Sequence, residues 1–252
     1  MRSLALLFLC SLTTGAYAQQ PLAKFRTVHV KQVTQEGAEL VAIALDLAGT
    51  DLAETYEVPG QFVQLRTTAD EKPSMFALAA GPDGGPTWQL LVKVGSPIPD
   101  KLAAMKPGDA VEVTPAQGSG FPVAEHKGQD WVILAMGSGV SAGRALVDYA
   151  LAHRADYGRI TLIDGGKTQH HLAYRGLVDG WARGGATVLD VLSNPEPGWT
   201  GATGWVQDQL TRPMLTEHAT AVFAVGSKEM VAGITAKLAA LGLSDTKVLL
   251  NF

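Results

Sequence analysis

The second half of the chain alternates apolar runs of strand length with segments whose apolar residues recur at helical spacing. Strands that are buried on both faces read as continuous apolar runs, and parallel strands need long crossover connections such as helices. The pattern therefore predicts a parallel five-stranded α/β domain with helices on both faces of its sheet. The five runs, all after residue 129, are WVILAM, RITLIDG, ATVLDVLS, TAVFAVG and KVLLNF. The helices predicted between them include HLAYRGLVDGWARG, which begins at residue 171, and GWVQDQLTR, around residue 206.

The first half has a different rhythm. Between Lys24 and Val123, short β-type runs are divided by glycine- and proline-rich turns such as GPDGGP and KPGD. Many short strands at close spacing indicate an antiparallel β-barrel or sandwich, with one short helix at PDKLAAM. A polar, turn-like segment, AEHKGQD, separates the halves. We predict a barrel domain over residues 22–125 and the α/β domain over residues 128–252.

The first eighteen residues, MRSLALLFLCSLTTGAYA, have the features of a secretory signal peptide. A positive charge at Arg2 precedes an apolar run that is too short to span a bilayer, and small residues end the segment. The alternative is a buried N-terminal element. The signal predicts a secreted or periplasmic protein, or one addressed to the plastid of an alga when the signal is the first half of a bipartite address. The sole cysteine, Cys10, lies in this segment, so the processed chain would have no thiol.

Charge and composition exclude several kinds of partner and site. The formal net charge is −4 and no Lys/Arg cluster stands out, which argues against nucleic-acid binding. No second segment has the length and apolarity of a transmembrane helix. His170 and His171 are adjacent, so on a helix they would point about 100° apart. We therefore predict no metal site.

A glycine-rich turn follows the first strand of the predicted parallel sheet. In AMGSGVSAGR, Gly137 and Gly139 would let the backbone approach a pyrophosphate, and the next helix would direct its N-terminal amides at it. The spacing departs from G-x-G-x-x-G, so the motif by itself leaves a phosphate site and a plain connection about equally open. Gly226, in VFAVGSKEMV, ends another strand in a similar way.

Several motifs occur together in a fixed order. They are VPGQFVQLR, KPGDAVEVTPAQGSGF, ILAMGSGVSAGRAL, VLSNPEPGWTGATGWVQDQL and FAVGSKEMV. In this order they resemble the ferredoxin–NADP reductase superfamily, whose members join an FAD-binding antiparallel barrel to an NAD(P)-binding α/β domain. The ending KVLLNF is similar to a branch of plant and algal reductase-like proteins, one of them from kiwifruit.

The resemblance implies an FAD-dependent oxidoreductase that passes electrons from NAD(P)H through flavin to an unidentified acceptor, which could be a protein. It implies nicotinamide near Val225 and Gly226, and an aromatic stack from Phe252, for which a plain hydrophobic plug is the alternative. The implied flavin-binding residues are Phe76, Ala77, Leu78, Lys93, Gly95 and Ser96. The implied dinucleotide-binding residues are Gly137, Ser138, Gly139, Val140, Ser193, Glu229 and Met230.

The sequence also departs from the family pattern. The R-x-Y-S stretch that contacts FAD in the family is SMFA here, without the arginine fork, the tyrosine hydroxyl or the serine. Pro97 and Pro99 remove two N–H donors from the G-x-x-S stretch. Val225 replaces the family's cysteine. Asn194 and a proline follow Ser193 where NADPH-selective members often carry arginine, which favours NADH or mixed use.

These departures leave an alternative from another functional class, a reductase-like nucleotide- or protein-binding module with little or no turnover. The tryptophans at 181, 199 and 205 are expected to serve packing.

Overall fold

The computed structural model describes residues 24–83, 85–215 and 220–251. The predicted signal peptide and Phe252 therefore lie outside the described residues. Within these ranges, no helix has both the length and the apolarity needed to cross a bilayer.

The N-terminal domain is an antiparallel sheet that closes into a barrel. Its six strands have the order β4-β3-β6-β1-β2-β5. Residues just after β4 complete the ring, because Leu78 bridges Leu90 and the N–H of Ala79 donates to the carbonyl of Gln89 at 2.8 Å. The strands are β1 (Arg26–Gln35), β2 (Leu40–Asp46), β3 (Phe62–Arg66), β4 (Ser74–Ala77), β5 (Thr87–Lys93) and β6 (Ala110–Val113).

Alternating side chains fill the barrel. Ile43, Leu65 and Leu90, from three different strands, are all fully buried. A short helix, α1 (Pro97–Ala103), follows β5 and buries Ile98 and Leu102 against the same core. Proline at the first helical position is compatible with this start, because that N–H has no intrahelical acceptor.

The C-terminal domain is a parallel sheet with the order β10-β9-β8-β7-β11-β12. The predicted barrel followed by a parallel α/β domain is confirmed, but the predicted strand number is wrong. A sixth strand, β10, pairs with β9 over only two residues, too few to leave a sequence pattern. The strands are β7 (Asp130–Met136), β8 (Ile160–Gly166), β9 (Ala186–Leu192), β10 (Ala202–Thr203), β11 (Thr220–Val225) and β12 (Val248–Leu249).

The helices of this domain are α2 (Val140–Ala152), α3 (Val178–Arg183) and α4 (Lys228–Ala240). The helix predicted to begin near residue 171 is shortened to α3, because Tyr174 adopts a left-handed conformation at φ 58° that a helix cannot continue through. The helix predicted around residue 206 is replaced by two 3₁₀ turns, Val206–Gln209 and Arg212–Met214. Thus the apolar spacing alone overestimated both helices.

Both faces of the parallel sheet are covered, as predicted. α2 and α3 pack on one face, while α4 and the 206–210 turn pack on the other. On the α2 side, barrel residues enter the same core, and we call this shared core the joining cluster. It unites Leu40, Ala79, Leu91 and Phe121 with Val140, Ala142 and Phe223. The two domains are therefore held together by buried apolar contact.

Candidate functional site

The strand order creates a crevice at one edge of the parallel sheet. β7 lies between β8 and β11, so the chain leaves β7 in one direction and later returns on its other side. In open α/β sheets, ligands bind outside the carboxyl ends of the strands at this switch point. Gly137 ends β7 there with φ +55°, and a Cβ on it would meet nothing within 4 Å. The glycine is required by its backbone conformation and borders open space.

A cavity of about 410 Å³ occupies this crevice. Its floor is formed by residues at the ends of four parallel strands and at the start of α4, including Gly137, Gly166 and Ser193. The barrel contributes Leu40 and Lys93, which are paired across β2 and β5. The volume falls within the range of small-molecule and cofactor sites. Of the residues implied by sequence, those that line it are Lys93, Gly137, Ser193, Glu229 and Met230.

The N-terminus of α4 borders the cavity. The Ser227 hydroxyl caps the helix by accepting from the N–H of Met230 at 3.3 Å. Two hydrogen bonds lower the pKa of the Glu229 carboxyl: the larger effect comes from the Ser227 hydroxyl and the smaller one from the backbone N–H of Glu229. Gly226 lies against the Met230 side chain, because a Cβ on it would lie 2.6 Å from the Met230 sulfur. These contacts fix the first turn of a thirteen-residue helix whose dipole attracts anions.

The turn after β7 meets the cavity through Gly137. Gly139 packs against Val225, and Val140 is buried in the joining cluster. Ser138 is half-buried between them. The resemblance implied that four consecutive residues hold phosphate, whereas only the first of them, Gly137, lies among the residues that form the cavity wall.

The implied flavin-binding residues are distributed over both sides of β4. Phe76 is paired with Val63, shares its face and packs against the barrel core. Leu78 is fully buried and closes the barrel. Ala77 points to the opposite side and packs on the joining cluster, to which Val225 also contributes. Hence the strand implied for flavin and the strand end implied for nicotinamide both border the joining cluster.

The segment implied for the FAD pyrophosphate does not offer an anion site. The N–H of Gly95 donates to the Asp100 carboxylate at 2.7 Å. Pro97 and Pro99 have no N–H, and the Ser96 hydroxyl makes no capping bond. A carboxylate therefore takes the position where donors to phosphate would be needed. The residues present therefore do not fit a pyrophosphate held at residues 95–100.

Several cavity residues escaped the sequence analysis. Trp205 was expected to serve packing, yet it is 56% exposed at the cavity rim, beside Gln207. Lys167 and His171 come from the loop after β8. Glu39, from the β1–β2 hairpin, faces them from the barrel. A tryptophan in a glycine-rich connection was the one signal that the sequence offered. Lys167, His171 and Glu39 reach the cavity only because of the way the two domains pack.

Charged groups meet at the rim. Glu39 Oε2 lies 3.2 Å from Lys93 Nζ. The hydrogen bond and charge of Lys93, with smaller contributions from His171 and Lys167, hold the pKa of the Glu39 carboxyl below its usual value. His171 Nδ1 is 3.0 Å from the Thr168 hydroxyl. In the described part of the chain, no three His, Cys, Asp or Glu side chains are grouped so that they could hold a metal ion.

A carboxylate pair lies under the floor of the cavity. Asp164 and Asp190 are direct partners on β8 and β9, and Asp164 is only 3% exposed. Burial, and then the neighbouring Asp190, raise the pKa of Asp164 well above its usual value, while Arg175 opposes the shift. Arg175 Nη1 binds Asp190 at 2.7 Å. The pair packs beneath the sheet edge and is not part of the cavity wall.

A second cavity of about 410 Å³ lies at the opposite, amino-terminal edge of the same sheet. Its wall includes His126, Thr220 and Lys247. Parallel sheets place their ligands at the carboxyl edge, where crossover loops and helix N-termini converge. Position, more than size, therefore singles out the first cavity.

Comparisons with known proteins agree with this geometry. Residues 133–236 match the model of the oxidoreductase NAD-binding domain. Fruit protein pKIWI502 of Actinidia deliciosa is 28% identical over 243 residues, covering 89% of this chain and 76% of that protein. A ferredoxin NADP+ reductase from Neisseria gonorrhoeae, solved with bound FAD and NADP, superimposes with a TM-score of 0.73 at 19% identity, covering 88% and 93% of the two chains.

The chain is similar in sequence and in two-domain fold to the ferredoxin–NADP reductase-like superfamily, and its C-terminal domain matches an oxidoreductase NAD-binding domain. A further relative is the gamma subunit of sulfhydrogenase 1 from Pyrococcus furiosus, 28% identical over 186 residues. The match covers 71% of this chain and 63% of that subunit. Within the superfamily fold, the cavity is formed by the NAD-binding domain together with the barrel strands β2 and β5.

Proposed function

We propose that the protein is an NAD(P)H-dependent oxidoreductase that binds the dinucleotide in the carboxyl-edge cavity. The observation that carries this proposal is the position of the cavity at the β7/β11 switch point, with the barrel residues Leu40 and Lys93 closing it. A dinucleotide-binding site needs close backbone approach, an N-terminal helix turn and a flat surface for a base. Gly137, α4 and Trp205 supply these three features.

The proposed orientation follows from the chemistry of the wall. The phosphates lie near Gly137, where no side chain obstructs the backbone, and near the positive end of the α4 dipole. The adenine stacks on the exposed ring of Trp205, since an aromatic face binds a base without needing hydrogen bonds. The nicotinamide then extends toward Val225, at the end of β11 and on the joining cluster. Apolar contact at Val225 excludes water from the reacting end.

FAD is the cofactor that the superfamily implies, and when bound it supplies hydride acceptance and one- or two-electron transfer. Ala77 and Val225 are the residues of this chain that would flank the ring region, because both pack on the joining cluster. The electron acceptor beyond flavin is unidentified and could be a protein.

A second candidate function is a reductase-like nucleotide-binding module without bound FAD. The observation that favours it is the hydrogen bond from Gly95 to Asp100, together with the two prolines of α1. A protein that lacks the family's pyrophosphate donors should hold FAD weakly. In this candidate function the cavity still binds a dinucleotide, but no FAD is present to accept electrons from it.

One experiment separates the two candidates. The purified protein is incubated with FAD, desalted and examined by visible absorption, and NADH or NADPH is then added without oxygen. Retained yellow colour that bleaches on addition of the reductant supports the oxidoreductase. A protein that remains colourless but still binds NADH supports the module. If neither dinucleotide binds, the assignment of the cavity is wrong.

A further inference from the structure

The barrel places an acidic side chain at the rim of the dinucleotide cavity. Glu39 precedes β2, and the N–H of Val94 donates to its carbonyl at 2.9 Å, so the strand pairing sets it beside Lys93. Its carboxylate lies among the cationic side chains that border the cavity, Lys93, Lys167 and His171. The family motifs in the sequence do not include this residue.

The hairpin that carries Glu39 is attached to the α/β domain. The N–H of Ala38 donates to the carbonyl of His170, and the N–H of Tyr174 donates to Glu36 Oε2 at 3.0 Å. A Cβ on Gly37 would lie 3.0 Å from the His170 carbonyl oxygen. The hairpin and the loop after β8 thus form one unit, and Glu39 stays close to Lys167 and His171.

The charges of the cavity wall cancel. Its charged side chains are two lysines, Lys93 and Lys167, and two glutamates, Glu39 and Glu229, with His171 as the one histidine. With His171 neutral, their sum is zero. In the proposed orientation the pyrophosphate of a dinucleotide lies at Gly137 and the positive end of the α4 dipole, whereas any further phosphate would depend on the two lysines. One of these lysines is already paired with Glu39.

We propose that Glu39 is a specificity-determining residue that makes the cavity prefer NADH over NADPH. This inference rests on the proposed function of the cavity. Glu39 neutralises Lys93 and repels a second dianionic group at the rim, while its effect on the pyrophosphate is common to both ligands and cancels in the ratio of their affinities. Asn194, which follows Ser193 at the end of β9, adds no cation to offset this repulsion. Glu39 thus sets the preference by repelling NADPH rather than by attracting NADH.

The test compares affinities of NADH and NADPH for the wild type and for Glu39→Gln by isothermal titration calorimetry. Glu39→Gln keeps the shape of the side chain and releases Lys93. At low ionic strength we expect the affinity for NADPH relative to NADH to rise about five- to tenfold, as for an exposed charge near a dianion. In 0.5 M salt the ratio should fall back toward the wild-type value, because the Debye length is then only about 4 Å and the charges are screened. The double variant Glu39→Gln/Lys93→Gln restores a neutral wall and should return the ratio to near that of the wild type.

The matched control is Asp156→Asn. Asp156 forms a comparable exposed ion pair, with Lys127 Nζ at 2.7 Å, far from the cavity wall. It should leave the ratio unchanged. If the wild type binds NADH and the ratio in Glu39→Gln stays within about twofold of the wild type, or shifts equally in Asp156→Asn, the inference about Glu39 is overturned while the proposed function stands. If the wild type binds neither ligand, the proposed function fails, and the inference fails with it.

Discussion

Gly139 is packed against the end of β11, so that a Cβ on it would lie 2.6 Å from the carbonyl oxygen of Val225. This contact joins the turn after β7 to the neighbouring strand at the switch point of the sheet. Its φ of −62° is open to any residue, so the requirement for glycine is steric. The contact sets the position of Gly137 at the cavity.

Gly139→Ala should therefore damage the site. The methyl group meets backbone, which cannot move aside as a flexible side chain can, so the turn must shift. We expect a loss of about 1–3 kcal/mol in the free energy of unfolding, as for overpacking in a close-packed region. Affinity for NADH should fall at least about tenfold, consistent with a displaced phosphate-binding turn. Urea unfolding and calorimetric titration measure the two effects.

Gly180→Ala is the control for the preceding substitution. Gly180 lies in α3, and a Cβ on it would contact nothing within 4 Å. Alanine is the better helix former by about 0.5–1 kcal/mol, so the variant should be as stable as the wild type or more so, with unchanged NADH affinity. Equal losses of affinity in both variants would contradict the role assigned to Gly139.

Arg144 forms a polar link between the two domains. From α2 it donates to Gln89 Oε1 on β5 at 2.8 Å and to Asp148 Oδ2 at 3.2 Å, and its guanidinium lies 4.7 Å from the centre of the Tyr174 ring. Its side chain is 11% exposed. Arg144→Ala should lower the free energy of unfolding by about 1–3 kcal/mol, because it removes a largely buried side chain and its charged hydrogen bonds to the partly buried Gln89 and Asp148.

Arg26→Ala provides the comparison. Arg26 binds Asp51 through two hydrogen bonds of 3.1 Å, but both side chains are largely exposed, at 34% and 62%. Its loss should cost less than about 1 kcal/mol. Both variants are measured by chemical denaturation. If Arg144→Ala were no more destabilising than Arg26→Ala, the link between the domains would contribute little.

The raised pKa of Asp164 should make the free energy of unfolding depend on pH. Since its pKa is raised in the folded state, the folded chain holds this proton more tightly than the unfolded chain does. Its contribution is fully present below the unfolded pKa, which is about 3.9, and is lost as pH rises toward the folded pKa. Asp164→Asn mimics the protonated group, so the stability of this variant should decline less as pH rises above the unfolded pKa of about 3.9.

The measurement is urea unfolding at intervals from pH 4.5 to pH 8. The difference in stability between Asp164→Asn and the wild type should grow as pH rises. Asp179→Asn, at an exposed position in the first turn of α3, is the control for the removal of one carboxylate. A gap that does not widen for Asp164→Asn would contradict a raised pKa for the buried Asp164.

Trp205 is proposed to stack on the adenine base. Trp205→Ala should weaken NADH binding about tenfold or more, within the 1–3 kcal/mol found for a base on an aromatic side chain. Folding should change little, since the ring is 56% exposed. Trp205→Phe retains an aromatic face and should recover most of the affinity. If alanine and phenylalanine behave alike, stacking is excluded.

The architecture was readable from the sequence because its signals are local. Apolar runs alternating with helical spacing predicted β7, β8, β9 and β11 with their connections, and short runs between turns predicted the barrel. The two-residue strand β10 leaves too short a pattern to be located, whereas β12, equally short, lies within the apolar run KVLLNF that the sequence analysis identified. The left-handed Tyr174 ended a helix that apolar periodicity alone would have extended.

The site was only partly readable, because much of it depends on how two domains meet. Gly137, Ser193 and Met230 follow strand ends, so motif order located them. In the sequence, Glu39 is one of many charged residues in turns. Its place at the cavity depends on the contact between the barrel hairpin and the loop after β8. Gly139 looked like a ligand-approach glycine, whereas its neighbour is Val225. Contacts between distant segments leave no spacing pattern for a single sequence to show.

The most direct test of the dinucleotide site is hydrogen–deuterium exchange with and without saturating NADH. Two cavities of equal volume lie at opposite edges of one sheet, so the location of protection decides between them. We predict slower exchange at 136–140, 165–171, 204–207 and 227–230, with no change at 122–129 and 242–249. Protection confined to the latter two segments, or no protection at all, would contradict the account.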